Sequence, residues 1–188
     1  SWRFTSFIVD NANLAGWGDI KSMLETKNFG GKCGDLNAMF VGLCRSAGIP
    51  ARDLYGLRVA KSNHGYASLG ANTENVTRAQ HCRAEFYVRG YGWIPADPAD
   101  VRKVVLEEPP GNLAVNDPKV ERMRKMLFGA WEMNWLAYSY AHDVVLPGSR
   151  GPKLPYLMYP NAETADGRLD SLDPDAFKYK ITARELTA

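Results

Sequence analysis

The sequence predicts an α+β fold in which early helices pack on an antiparallel β-sheet. Three observations predict it. Apolar residues recur at helical spacing between 36 and 47, period-two alternation marks strands near 51–60, 81–89 and 93–97, and helices come mainly before strands. The 188 residues, 45% of them hydrophobic, suffice for one good-sized core. One domain over 1–188 is therefore expected, with a core over about 17–100 and a C-terminal extension over 101–188 that adds a helix and strands.

The first element is a short helix from about Asp19, a fitting N-cap, with Ile20, Met23 and Leu24 as its apolar stripe; Asn28 to Gly31 end it. The clearest helix follows. Leu36, Met39, Phe40, Leu43, Cys44 and Ala47 fall on one face, and Gly48 and Pro50 stop it. Ala51 to Ala60 alternates, with Tyr55, Leu57 and Val59 on one side and Arg52 and Arg58 on the other. A polar loop over 61–79 leads to two strands, His81–Arg89 and Trp93–Asp97, joined around Gly90-Tyr91-Gly92 as a hairpin.

Pro109-Pro110-Gly111 and the tract from Pro147 to Pro155 read as loops. Asp117-Pro118 starts a helix running to about Phe128, with the N-cap and the first-turn proline in their usual places. Trp131, Met133 and Trp135 alternate with Glu132 and Asn134, which predicts a strand from Trp131 to about Tyr140. Phe177, Tyr179 and Ile181 alternating with Lys178, Lys180 and Thr182 predict a last strand.

Composition excludes several functions. The 23 basic and 21 acidic residues are mixed along the chain, so no basic face points to nucleic acid. No stretch reaches the ~18–20 continuous apolar residues of a membrane span, and no charged-then-apolar signal segment opens the chain. Three cysteines, Cys33, Cys44 and Cys82, are too few for a disulfide framework and leave at least one free thiol. Without a Cys-x-x-Cys pair or a His pair at helical spacing, a structural zinc site is not expected. Neither a metal nor a cofactor is predicted, and the sequence sets no oligomeric state.

Cys33 lies three residues before Leu36 and seven before Phe40, on the apolar face of the strongest helix and at its first turn. Free N–H groups and the positive end of the helix dipole favour a thiolate there, and Lys32 adds charge of the same sign. A small buried residue at a tight turn is the competing reading. The hairpin decides between them. Even positions Cys82, Ala84, Phe86 and Val88 are apolar and pair with Ile94 and Ala96, which requires a loop of odd length and directs Cys82 into the core, away from the site. His81 and Asp97 then share the odd face at the same end of the hairpin, within direct or diagonal reach. A thiol, an imidazole and a carboxylate converge, the set in which His takes the thiol proton and the carboxylate fixes its tautomer. A metal site using Cys33, His81 and Asp97 is a further reading of the same residues. Trp93 and Tyr87 share the odd face and are candidate walls of a peptide cleft. His64 in the loop and His142 at a strand end read as solvated or structural.

Gly31-Lys32-Cys33 opening a helix, Ala47-Gly48-Ile49-Pro50-Ala51-Arg52 ending it, and HCRAEFYVRGYGWIPADP over 81–98 resemble the transglutaminase-like core of the papain-like cysteine protease superfamily, in its bacterial type. The resemblance runs from Gly30 to Pro98. It implies Cys33 as nucleophile, His81 as general base and then acid, Asp97 as orienting carboxylate, a peptide or protein substrate, and export to the periplasm or beyond. One departure is visible: Arg83 stands where such domains usually carry an aromatic residue. The tract from Phe128 to Asp143 resembles only a bacterial subgroup. The expected activity is acyl transfer from a peptide amide through a thioester, to water in a cysteine peptidase or amidase, or to an amine in a transglutaminase. No acidic calcium-binding loop is evident. The alternative is a peptide-binding module that keeps the fold without the activity.

Overall fold

The structure, a computed structural model, describes residues 18–173 and 175–186. Helix α1 spans Ile20–Thr26 and α2 Cys33–Ser46; strand β1 spans Ala51–Arg58, β2 Gln80–Val88 and β3 Gly92–Ala96. Helices α3 (Pro98–Glu107) and α4 (Pro118–Met126) follow, then β4 (Trp135–Ser139) and the short strands β5 (His142–Val144), β6 (Leu154–Tyr156), β7 (Glu163–Thr164) and β8 (Gly167–Arg168). The main sheet has the order β3-β2-β1-β4 with antiparallel pairing throughout. The α+β expectation holds.

The hairpin register is the one the alternation requires. Ala84 pairs with Ala96, Phe86 with Ile94 and Val88 with Gly92, leaving the three residues Arg89, Gly90 and Tyr91 as an odd-length loop. The even residues Ala84 and Ala96 meet Phe40 and Val41 of α2 and Ala51 of β1 in one core cluster. A second core joins α3 and α4 through Val101, Val104, Val105, Val120 and Met123, with Tyr66 and Leu69 from the long loop. A third holds Tyr55, Cys82 and Met158, with Cys33, Tyr156 and Tyr159 packed against it.

Several expectations are corrected. The buried face of α2 is rotated from the predicted stripe: Asn37 and Val41 are buried while Leu43 is 37% exposed, because α2 lies over small alanines of the sheet and leaves Leu36, Leu43 and Cys44 lining an apolar groove towards α3 and α4. Leu24 of α1 is exposed as well. Helix α3 was not expected; Asp97-Pro98 is an N-cap and first-turn proline like Asp117-Pro118, hidden by its adjacency to a strand. Alternation at 131–135 is inverted, with Met133 80% exposed and Glu132 and Asn134 buried. Those two polar side chains hold backbone instead, Glu132 accepting from Asn63 N–H at 2.9 Å and Asn134 donating to the Leu69 carbonyl at 2.8 Å. Only Trp135–Ser139 of that tract is strand. Residues 177–182 form no strand: they lie along the loop at 73–77, where Val76 N–H donates to the Ile181 carbonyl at 2.9 Å. Among the described residues no helix is long and apolar enough to cross a membrane.

Candidate active site

Cys33 is the first residue of α2. Asp35 fixes the helix start, its carboxylate accepting from Lys32 N–H at 2.8 Å and from Gly18 N–H at 2.9 Å. Gly31 makes this possible, because a Cβ there would lie 2.6 Å from the Asp35 Cβ. The half-buried Cys33 sulfur thus sits at the positive end of a 14-residue helix.

His81 lies one residue into β2 and Asp97 follows the last residue of β3. In the hairpin register Asp97 falls opposite Arg83, so His81 is its diagonal neighbour on the same face. His81 Nε2 and Asp97 Oδ2 are 2.8 Å apart. The other Asp97 oxygen, Oδ1, accepts from Asp100 N–H at 3.0 Å and caps α3. Since Nε2 is held by carboxylates, Nδ1 is the ring nitrogen left to face Cys33, whose thiol pKa the nearby imidazole lowers. The structure therefore brings Cys33, His81 and Asp97 together.

The site contains more than these three. Asp100 Oδ1 stands 3.2 Å from the same His81 nitrogen. Arg83 Nε is 3.1 Å from Asp97 Oδ2, and Arg58 donates to Asp100 Oδ1. All five side chains other than Cys33 are at least nine-tenths buried, so the polar face of β2 is enclosed at His81 and Arg83. Arg58, expected on the polar side of its strand, and Arg83, expected as a departure from the family pattern, are both buried as the countercharges of two carboxylates. The Phe128–Asp143 tract covers them: the Arg83 guanidinium lies 4.8 Å above the Trp135 ring, and Trp135 Nε1 donates to the His81 carbonyl at 2.9 Å. Gly56, opposite His81 in β1, admits that ring, since a Cβ there would meet it at 2.5 Å. The signal for Asp100 was present in the sequence, one turn after a cap.

The charges shift each group in the direction the chemistry needs. Burial and Arg58 oppose protonation of His81, yet Asp100 and Asp97 overcome them and push its pKa up to about 9. Burial would raise Asp97, but His81 and Arg83 bring it down to about 2. Cys33 falls well below the ordinary thiol value, through a hydrogen bond from Cys82 and then through His81, both against burial. The resting state this favours is a thiolate–imidazolium pair.

Cys82 requires a correction. Parity does turn it to the core, where it is fully buried, but α2 begins over that same core and sets Cys33 against it. Cys82 is therefore part of the site. Tyr87 and Trp93 lie at the hairpin tip, six residues along β2 from His81, about 20 Å at the rise of a strand. They contact each other at 5.6 Å between ring centroids, and Arg52 lies over Trp93; they are too far to line a cleft at Cys33. Tyr156 and Tyr159 from the extension pack on the Cys33 cluster instead, and nothing in their spacing announced it. His142 contacts Tyr55 at 3.3 Å, and His64 is an exposed loop residue.

His81, Asp97 and Asp100 place their ligand atoms within 4.8 Å of one another, a donor set that suits a divalent cation. Two guanidiniums already pair with those carboxylates, and a cation would have to enter against both. The Cys33, His81 and Asp97 set, by contrast, offers a thiol, an imidazole and a carboxylate, groups able to act as nucleophile, base and orienter.

The chain is 40% identical over 195 residues to an uncharacterized protein of Haemophilus influenzae, across 98% of this chain and 52% of that protein. The chain thus spans about half the length of the curated relative it matches. No solved structure matches it. The family model of the transglutaminase-like superfamily matches residues 1–98, which hold Cys33, His81 and Asp97, and the chain belongs to that superfamily.

Proposed function

We propose that this chain is a cysteine-dependent acyl transferase acting on peptide amide bonds through a thioester. The observation that carries the reading is the His81–Asp97 contact at 2.8 Å, with the imidazole near enough to the helix-head thiol of Cys33 to lower its pKa. In this reading the Cys33 thiolate attacks the amide carbonyl, and the Cys33 backbone N–H at the head of α2 receives the developing oxyanion. His81, protonated at rest, gives its Nδ1 proton to the leaving amine, so the thioester forms as the C–N bond breaks. The neutral imidazole then takes a proton from the acceptor, water or an amine, which attacks the thioester and releases Cys33. Asp97 holds the ring throughout and supports its charged form.

Water as acceptor makes the chain a peptidase or amidase, and an amine makes it a transglutaminase. Mass spectrometry of a peptide library incubated with the protein, with and without a primary amine, separates them. Shorter peptides indicate hydrolysis, and amine adducts on glutamine indicate transfer. No product in either arm, from protein with an alkylatable Cys33, contradicts the proposal for peptide amides.

A further inference from the structure

Cys82 is a buried thiol within the site that acyl transfer leaves unused. Asn37 lies four residues after Cys33, one turn along the same side of α2. Its Nδ2 donates to the Cys82 carbonyl at 2.9 Å and contacts Cys82 Sγ at 3.4 Å. That turn of helix sets Cys33 beside Cys82: Cys33 packs against the buried cluster that holds Cys82, and the two thiols shift each other's protonation in opposite directions. Both are free thiols of unequal access: Cys33 is half-buried and Cys82 fully buried. An oxidant from solvent reaches one of them, and the product finds the other already in contact.

We propose that Cys82 is the resolving thiol of Cys33, making the site a reversible peroxide-sensitive switch. In the first step the Cys33 thiolate attacks a hydroperoxide oxygen; the O–O bond breaks, one oxygen stays as the sulfenic acid, and the other leaves as water or an alcohol after taking a proton. In the second, the Cys82 sulfur attacks the Cys33 sulfur, an S–S bond forms, and hydroxide leaves and takes the Cys82 proton as water. The hydroperoxide is the oxidant, reduced by two electrons, and the two thiols are oxidised to one disulfide. The disulfide blocks the nucleophile and also shields it from further oxidation, and a dithiol reductant restores both sulfurs. The Asn37 amide offsets part of what raises the Cys82 thiol well above its ordinary value, and conversion of the Cys33 thiolate to a neutral sulfenic acid removes another part. Cys44 provides an internal control, because it packs with Phe40 and Phe86 in a different cluster.

The proposal rests on the reading of Cys33 as an activated nucleophile, and its test keeps the two apart. The whole chain is treated with limiting hydrogen peroxide, and peptides are mapped without reduction, then again after dithiothreitol. The expected product is a Cys33–Cys82 cross-link that has lost two hydrogens and that dithiothreitol reverses almost fully. In Cys82→Ala the expected product is sulfinic or sulfonic acid on Cys33, with recovery of alkylatable Cys33 falling to a small fraction. Over-oxidised Cys33 without a cross-link in the unsubstituted chain overturns the switch and leaves the nucleophile intact. Oxidation of Cys33 no faster than that of Cys44 overturns both.

Discussion

Asp97 divides its two carboxylate oxygens between structure and chemistry: Oδ2 holds His81 Nε2 at 2.8 Å while Oδ1 caps α3 through Asp100 N–H at 3.0 Å. The cap fixes the carboxylate, and the carboxylate fixes the ring. Asp97→Asn keeps an oxygen for the cap but removes the charge. Turnover should fall by about 10³- to 10⁴-fold, the scale seen when such an orienting carboxylate is neutralised. The pH midpoint of Cys33 alkylation should move up towards the ordinary thiol value of 9.0, and the unfolding midpoint should fall because the charge that pairs with His81 and Arg83 is gone. Asp97→Ala should lose the cap as well, at about 1 kcal/mol of stability. An unmoved alkylation profile in Asp97→Asn contradicts the orienting role.

The buried Arg58–Asp100 pair predicts an asymmetric mutational response. Asp100→Leu alone leaves the Arg58 guanidinium, 6% exposed, without its carboxylate and should cost about 3–5 kcal/mol. Arg58→Met combined with Asp100→Leu should recover much of that loss, since apolar replacements of a buried pair are often near neutral. Denaturant unfolding of the single and double variants measures it. Equal losses in both contradict the pairing.

Stability should depend on pH in two windows of opposite sign. His81, raised to about 9 from 6.5, contributes stability that is fully present below 6.5 and is lost as pH rises through about 9. Asp97, lowered to about 2 from 3.8, contributes stability present above 3.8 and lost as pH falls through about 2. In thermal unfolding across pH, Asp97 should thus add an acid decline below about 4 and His81 an alkaline decline above about 6.5 that is reduced in His81→Gln, while the buried Asp53 carboxyl, raised to about 7, adds its own loss as pH rises from 3.8 to about 7. A flat alkaline limb in the unsubstituted chain contradicts the raised imidazole.

The sequence disclosed the hairpin and the juxtaposition of His81 and Asp97 because both depend on period-two parity, which local residues carry. Ala84 opposite Ala96, the odd loop at Arg89 to Tyr91, and Asp97 diagonal to His81 all follow from it. What parity lacks is the identity of the layer on each face. It placed Cys82 in the core without showing that α2 begins there, and it marked Arg58 and Arg83 as polar without showing Trp135 and α3 closing over them. The inversion at Glu132 and Asn134 has the same origin: buried loop backbone at Asn63 and Leu69 needed polar partners, a demand set by residues some seventy positions away. The aromatic wall of Tyr156 and Tyr159 depends on how the extension returns over β1, which no local pattern encodes.

The most direct test of the account is the rate at which each cysteine reacts with a limiting thiol-alkylating probe between pH 5 and 8, read by peptide mapping of the folded chain. The account predicts that Cys33 is labelled well before Cys44 and Cys82, that its rate persists below the ordinary thiol range, and that His81→Gln abolishes the advantage. Labelling of Cys33 at or below the rate of Cys44 near neutral pH contradicts it.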